Sequence, residues 1–172
     1  MTLSPGQCIT HLYKTSYAIP MENVTPNPCT GDGPGVILVA VDGSTTSVRA
    51  AAWAGGFARR QGSRLLCIYV ATRPALAGLA LTVGAEFTLE QDMDQVAKEL
   101  GEELKASAAS YNVPLEYVVR PGDPVTEIVR MADEVKVDAV VVGASTHAGH
   151  RLVGSVAVRL VRMGRWPVTV VP

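Results

Sequence analysis

Five short apolar runs of strand length, the first four each followed by polar or helix-patterned sequence, constrain this chain more than any other feature. They are Val36–Val41, Leu65–Val70, Leu115–Val119, the stretch from Asp138 through Val142 that ends at Gly143, and the stretch Pro167–Pro172. A continuous apolar run is a strand buried on both faces, and such strands need helices on each side of a parallel sheet. Right-handed crossovers then make a doubly wound, five-stranded α/β fold. In that architecture ligands bind outside the carboxyl ends of the strands where the winding reverses. Here that region is the end of the first and fourth strands, at Asp42 and Gly143.

The intervening sequence supports the alternation. Asp42-Gly43-Ser44 is a turn with a helix N-cap residue, and Val48, Ala51, Ala52, Gly55 and Ala58 recur at helical spacing as a small-residue face suited to close packing on a sheet. Trp53 and Phe57 lie off that face, either as a lateral contact or under a preceding segment. Residues 72–84, with Pro74, Gly78 and Gly84, read as a long loop before an acidic amphipathic helix over 85–110. Pro121-Gly122-Asp123-Pro124 turns the chain into a helix over Val125–Val135, and Gly154-Ser155 opens the last one. Residues 1–34 hold five of the 11 prolines and three charges without a sustained period, so they read as a poorly ordered arm, and 35–172 as the domain. A chain of 172 residues suits one such domain.

Composition excludes several classes. With a formal net charge of −1, the total suggests neither a general nucleic-acid binder nor a polybasic membrane protein. The charge is unevenly spread, with seven acids against two lysines from Glu86 to Lys105, and none after Asp138 where Arg151, Arg159, Arg162 and Arg165 lie. At helical spacing Arg159, Arg162 and Arg165 project away from the face of Val156, Ala157 and Leu160, which leaves Arg151 placed to meet a ligand. Three cysteines without a close pair, no secretion signal and no apolar stretch of membrane-spanning length imply a cytoplasmic location. Cys8, His11 and Cys29 lack the paired spacing of a zinc site, and the expectation is no metal. Neither a P-loop, a nucleophile elbow nor a zincin motif occurs, and Cys67 sits inside an apolar strand as a small hydrophobe. The sequence offers no catalytic residue, so robust catalysis is not expected; acid–base work by Asp42 with His147 or His150 is a third, separate reading.

The informative stretch runs from Val140 to Ser155. A buried strand leads through Gly143 into a hydroxyl-rich loop with Ser145 and Thr146, then to a helix start at Gly154-Ser155. Free N–H groups and partial positive charge at a helix start suit an anion such as phosphate. The same glycines equally suit plain turn positions, with Ser155 as a cap.

Val39-Ala40-Val41-Asp42-Gly43-Ser44, Gly122-Asp123-Pro124, Asp138 to Gly143, and Gly154-Ser155-Val156-Ala157 running into Arg165-Trp166-Pro167-Val168-Thr169-Val170-Val171 together resemble the universal stress protein family, over nearly all of 35–172. The resemblance implies strand order 3-2-1-4-5 and a homodimer paired through the last strand, Pro167 to Pro172. It also implies a regulatory stress-response protein that binds ATP or another adenine nucleotide. By that resemblance adenine lies against Ala40, Val41, Asp42 and Val70. Ribose and phosphates lie against Val142, Gly143, Ser145 and Thr146, and against Gly154, Ser155 and Val156, with Arg151 available to neutralise charge. The family's ATP motif is Gly-x2-Gly-x9-Gly-[Ser/Thr]. This chain departs from it, with Thr146 where the second glycine belongs and only seven residues, His147 to Val153, before Gly154. A β-branched residue at a positive-φ position costs roughly 1–3 kcal/mol. The alternative is therefore a dimeric interaction module of the same fold that binds no nucleotide.

Overall fold

In the computed structural model, residues 34–72, 86–145 and 154–172 are described, with backbone alone for 86–93. Each apolar run is a strand: β1 (Val36–Val41), β2 (Arg64–Ala71), β3 (Leu115–Pro121), β4 (Ala139–Gly143) and β5 (Val168–Val171). All pair in parallel in the order β3-β2-β1-β4-β5. Val39 stands level with Cys67 on one side and Val141 on the other, at the sheet's centre.

Alternate residues of each strand point to opposite faces, so two cores form. Ile37, Val39, Val41, Leu65, Cys67 and Val141 pack under helices α1 (Thr45–Gln61) and α2 (Glu86–Ser110). Leu38, Leu66, Ile68, Val140 and Val142 pack under α3 (Pro124–Val135) and α4 (Ser155–Met163). On α2, Ala97, Leu100, Leu104 and Ala108 face the sheet. Gly101 lets that helix settle against Tyr117, where a Cβ would stand 2.6 Å from the ring, and the Tyr117 hydroxyl donates to the Ala97 carbonyl at 2.8 Å. Asp138 ties the start of β1 to that of β4, its Oδ2 accepting from the Gly35 and Val36 N–H groups at 2.8 and 2.9 Å.

Two sequence expectations are corrected. The buried face of α1 is Thr46, Ser47, Ala50, Ala51, Ala54 and Ala58, about one residue out of phase with the expected stripe. The sheet accepts the smallest face of the helix, and the hydroxyl of Ser47 is satisfied locally, which makes its burial cheap. Val48, Ala52 and Gly55 turn instead toward a gap beside α2. The edge strands β3 and β5 are half-buried, whereas the sequence reading had every strand apolar and covered on both faces. All of the expected arm over 1–34 except Pro34 lies outside the described residues, as does most of the 72–84 loop. Among the described residues, no helix is long and apolar enough to cross a membrane, and no cluster of metal-ligating side chains occurs.

Candidate functional site

The crossover to β2 leaves β1 on one side of the sheet and the chain returns to β4 on the other, so the carboxyl ends of β1 and β4 part. Between them lies an open cleft of about 270 Å³. Ala40, Val41 and Asp42 from β1, Val70 from β2, and Val142, Gly143 and Ser145 from β4 and its loop line it, facing Gly154, Ser155 and Val156 at the start of α4. Thr146 and Arg151, with His147 and His150, lie outside the described residues.

Asp42 ends β1 and organises the turn into α1. Its Oδ1 accepts from the Ser44 N–H at 2.9 Å, while its own N–H donates to Ser47 Oγ at 3.2 Å. Ser47 Oγ in turn donates to the Ser44 carbonyl at 2.9 Å, and Ser44 Oγ caps α1 by accepting from the Ser47 N–H. Gly43 holds φ at +82°, which explains a glycine inside this turn. Burial works to raise the Asp42 pKa, but the side-chain and backbone donors of Ser44, with Ser47, outweigh it and hold the carboxyl below its ordinary value. A lowered folded pKa contributes stability that is present above the ordinary value of 3.8 and lost as pH falls through the folded value. Asp42→Asn is therefore expected to lose less stability than the parent on acidification below about pH 4, measured by urea unfolding across pH; parallel losses would contradict this.

Two glycines bring backbone segments together at the cleft. A Cβ on Gly143 would stand 2.7 Å from both Ser47 N and Thr46 C, so β4 ends in direct contact with the first turn of α1. A Cβ on Gly154 would stand 3.0 Å from Ser145 Cβ and 3.4 Å from Ser145 N. Ser44 and Asp123 cap α1 and α3 through their side chains, whereas α4 begins at Gly154 with no side-chain cap. Ser155 sits inside the first turn, so it is not the cap. The N–H groups of that first turn have no acceptor within their own helix and open on the cleft.

Arg165 and Arg159 are used elsewhere. Arg165 grips Asp133 at 2.6 and 2.9 Å and lies over Trp166, and Arg159 stands 3.6 Å from Asp123. Trp53 and Phe57 stack at 5.3 Å, a lateral contact with Phe57 packed on the core. Burial pushes the Cys67 thiol up to about 12, so it offers no thiolate.

Sequence reasoning missed the hydroxyls of Ser44, Thr46, Ser47 and Thr72, and Ile128, Pro124 and Ala157 from the helices on the far face, all of which line the cleft. The run Ser44-Thr45-Thr46-Ser47 directly after Asp42 was a usable signal, because hydroxyls at the start of a helix face the same strand end as its preceding turn. The finished site has an apolar floor, a carboxylate acceptor at one edge and an uncapped helix start opposite. Those features together suit a flat ring with donors on its edge, carried on an anionic group.

A model of the Universal stress protein family matches residues 35–172. Universal stress protein YxiE of Bacillus subtilis is 29% identical over 144 residues, covering 78% of this chain and 97% of that protein. The structure of universal stress protein UspA from Lactobacillus plantarum superposes with a TM-score of 0.68 at 26% identity, over 80% of this chain and 97% of that one. The crystal structure of a universal stress protein in complex with cAMP matches with a TM-score of 0.62 at 28% identity, over 81% of this chain and 97% of that one.

Proposed function

The chain belongs to the universal stress protein family, and from that premise we propose that it is a regulatory stress-response protein that binds an adenine nucleotide, ATP among them, in the β1/β4 cleft. The observation that carries this reading is the uncapped start of α4 opening on the same cleft as the apolar floor and Asp42. The adenine ring lies over Ala40 and Val70, its exocyclic amine directed at the Asp42 end of β1. The phosphate meets the first-turn N–H groups from Ser155 onward, with Ser145 nearby. The cAMP complex of a relative at 28% identity supports an adenine nucleotide as the class of ligand.

The proposal includes no robust catalysis. The carboxylate in the cleft is already engaged by the Ser44 N–H, and its lowered pKa makes it a poor proton acceptor near neutrality. We further propose a cytoplasmic homodimer paired through β5, an edge strand whose four residues are all half-buried in the single chain.

Calorimetry of the full chain with ATP, AMP and cAMP tests the reading, with mass analysis of whatever is released on denaturation and light scattering of the same sample. At least one adenine nucleotide is expected to bind or to co-purify, and the scattering mass is expected to be that of a dimer. No heat with any of the three and no released nucleotide would overturn the ligand, and a monomer at micromolar concentration would overturn the dimer.

A further inference from the structure

We propose that the chain's own N-terminal segment, centred on Tyr17-Ala18-Ile19-Pro20-Met21, docks in the groove between α1 and α2. That groove encloses about 400 Å³ on the face of the sheet away from α3 and α4. Val48, Ala52 and Gly55 form one wall and Leu100, Leu104 and Ala108 the other. Leu65 and Leu115, the second residue of β2 and the first of β3, close its floor at the end where those strands begin. Small residues on α1 create the gap, and its rim leaves Val48 and Tyr111 exposed at 36% and 59%. An apolar channel of this kind is costly to leave wet.

The point at which the chain enters the fold selects the occupant. Pro34 sits beside the groove's mouth, its carbonyl accepting from Ser63 Oγ, and the next carbonyl, of Gly35, accepts from Arg64 N–H at 2.9 Å. Ser63 is two residues before Leu65 of the floor. From Val48 to Arg59 the α1 wall is about 16 Å long at the helical rise, which five or so extended residues would fill. The segment from Glu22 to Gly33 reaches up to about 40 Å, so the tether is ample.

Charge order sets the direction. Arg59 lines the groove at the mouth, near Tyr111, and Glu103 lines it two turns further along α2. Between residues 1 and 31 the only charges are Lys14 and Glu22, on either side of the apolar segment. A segment running into the groove from Pro34 brings Glu22 to Arg59, opposite signs at the mouth.

The lysine-specific endoproteinase Lys-C reads this directly, because Lys14 is the only lysine before Lys98 and an arginine placed at 22 adds no site. A Cβ at Gly55 meets nothing within 4 Å, so Gly55→Leu fills the groove without a clash in the helix. In the full chain, Gly55→Leu is expected to speed cleavage after Lys14 by about tenfold or more, because nicking follows the undocked population. Arg59→Glu is expected to speed it as well, and Arg59→Glu combined with Glu22→Arg to restore the parent rate. Equal rates in parent and Gly55→Leu, confirmed as folded by circular dichroism, would overturn the proposal. So would protection that rises with protein concentration, which would put another copy's segment in the groove. If Gly55→Leu fails to fold, the charge exchange decides, and no rescue by the double variant overturns it.

Discussion

Replacing Gly143 by alanine is expected to destabilise the protein by about 1–3 kcal/mol and to abolish nucleotide binding at the cleft, from a single added methyl group. The backbone of Gly143 is not in a positive-φ conformation, so alanine is conformationally acceptable there. The cost is entirely one of space. The new Cβ would meet Ser47 N and Thr46 C at 2.7 Å, atoms of the main chain that no rotamer change can move. Thr46 and Ser47 are buried, and their turn carries the Ser44 cap and the Asp42 hydrogen bonds. Relief therefore requires the first turn of α1 to lift off β4, which drags Asp42 from the edge of the cleft. Urea unfolding and calorimetry with the nucleotide that binds the parent measure both effects. Gly55→Ala is the control of opposite sign: it meets nothing within 4 Å and is expected to stabilise by about 0.5–1 kcal/mol through helix propensity. A Gly143→Ala protein as stable as the parent would show that α1 is not seated on the end of β4.

The contrast between these two glycines shows what the sequence could carry. Gly143 reads as a strand end and Gly55 as part of a helical face, but neither context states whether a Cβ there would meet backbone or open space. Strand existence was legible because parallel strands between two helical layers must be apolar on consecutive residues, as in Val36-Ile37-Leu38-Val39-Ala40-Val41. The order β3-β2-β1-β4-β5 was legible only through the family resemblance, since alternation alone leaves the direction of winding open at each crossover. The phase of α1 was not legible. Hydrophobicity ranks Val48 above Ser47, but Ser47 is buried because its hydroxyl both accepts from the Asp42 N–H and donates to the Ser44 carbonyl. That pairing exists only once β1, the turn and the helix are assembled. The candidate site divides the same way. Asp42, Gly143, Gly154 and Ser155 stood out by their position at strand and helix ends, while Ile128 and Ala157 enter the cleft from helices whose tilt no local pattern encodes.

Ser155→Glu is expected to move stability and ligand affinity in opposite directions, which few substitutions do. Ser155 is exposed at the first position of α4 and makes no capping hydrogen bond. An acid there meets the partial positive charge of the helix start, a gain of about 0.3–1 kcal/mol. Without ligand the protein should therefore melt slightly higher than the parent. The same carboxylate would stand where the phosphate is proposed to bind, within about 6 Å of it. At an effective dielectric between those of a protein surface and water, repulsion at that distance is roughly 0.7–2.8 kcal/mol per unit charge, about a threefold to hundredfold loss of affinity. Salt sharpens the reading, because added salt should recover part of the lost affinity by screening. Ser155→Gln, of the same shape and no charge, should keep affinity within a few-fold of the parent. Calorimetry at low and high salt distinguishes the cases. Affinity unchanged by glutamate would mean the ligand's charge does not lie at the start of α4, whereas equal losses from glutamate and glutamine would assign the effect to side-chain bulk and remove the helix start from the anion site.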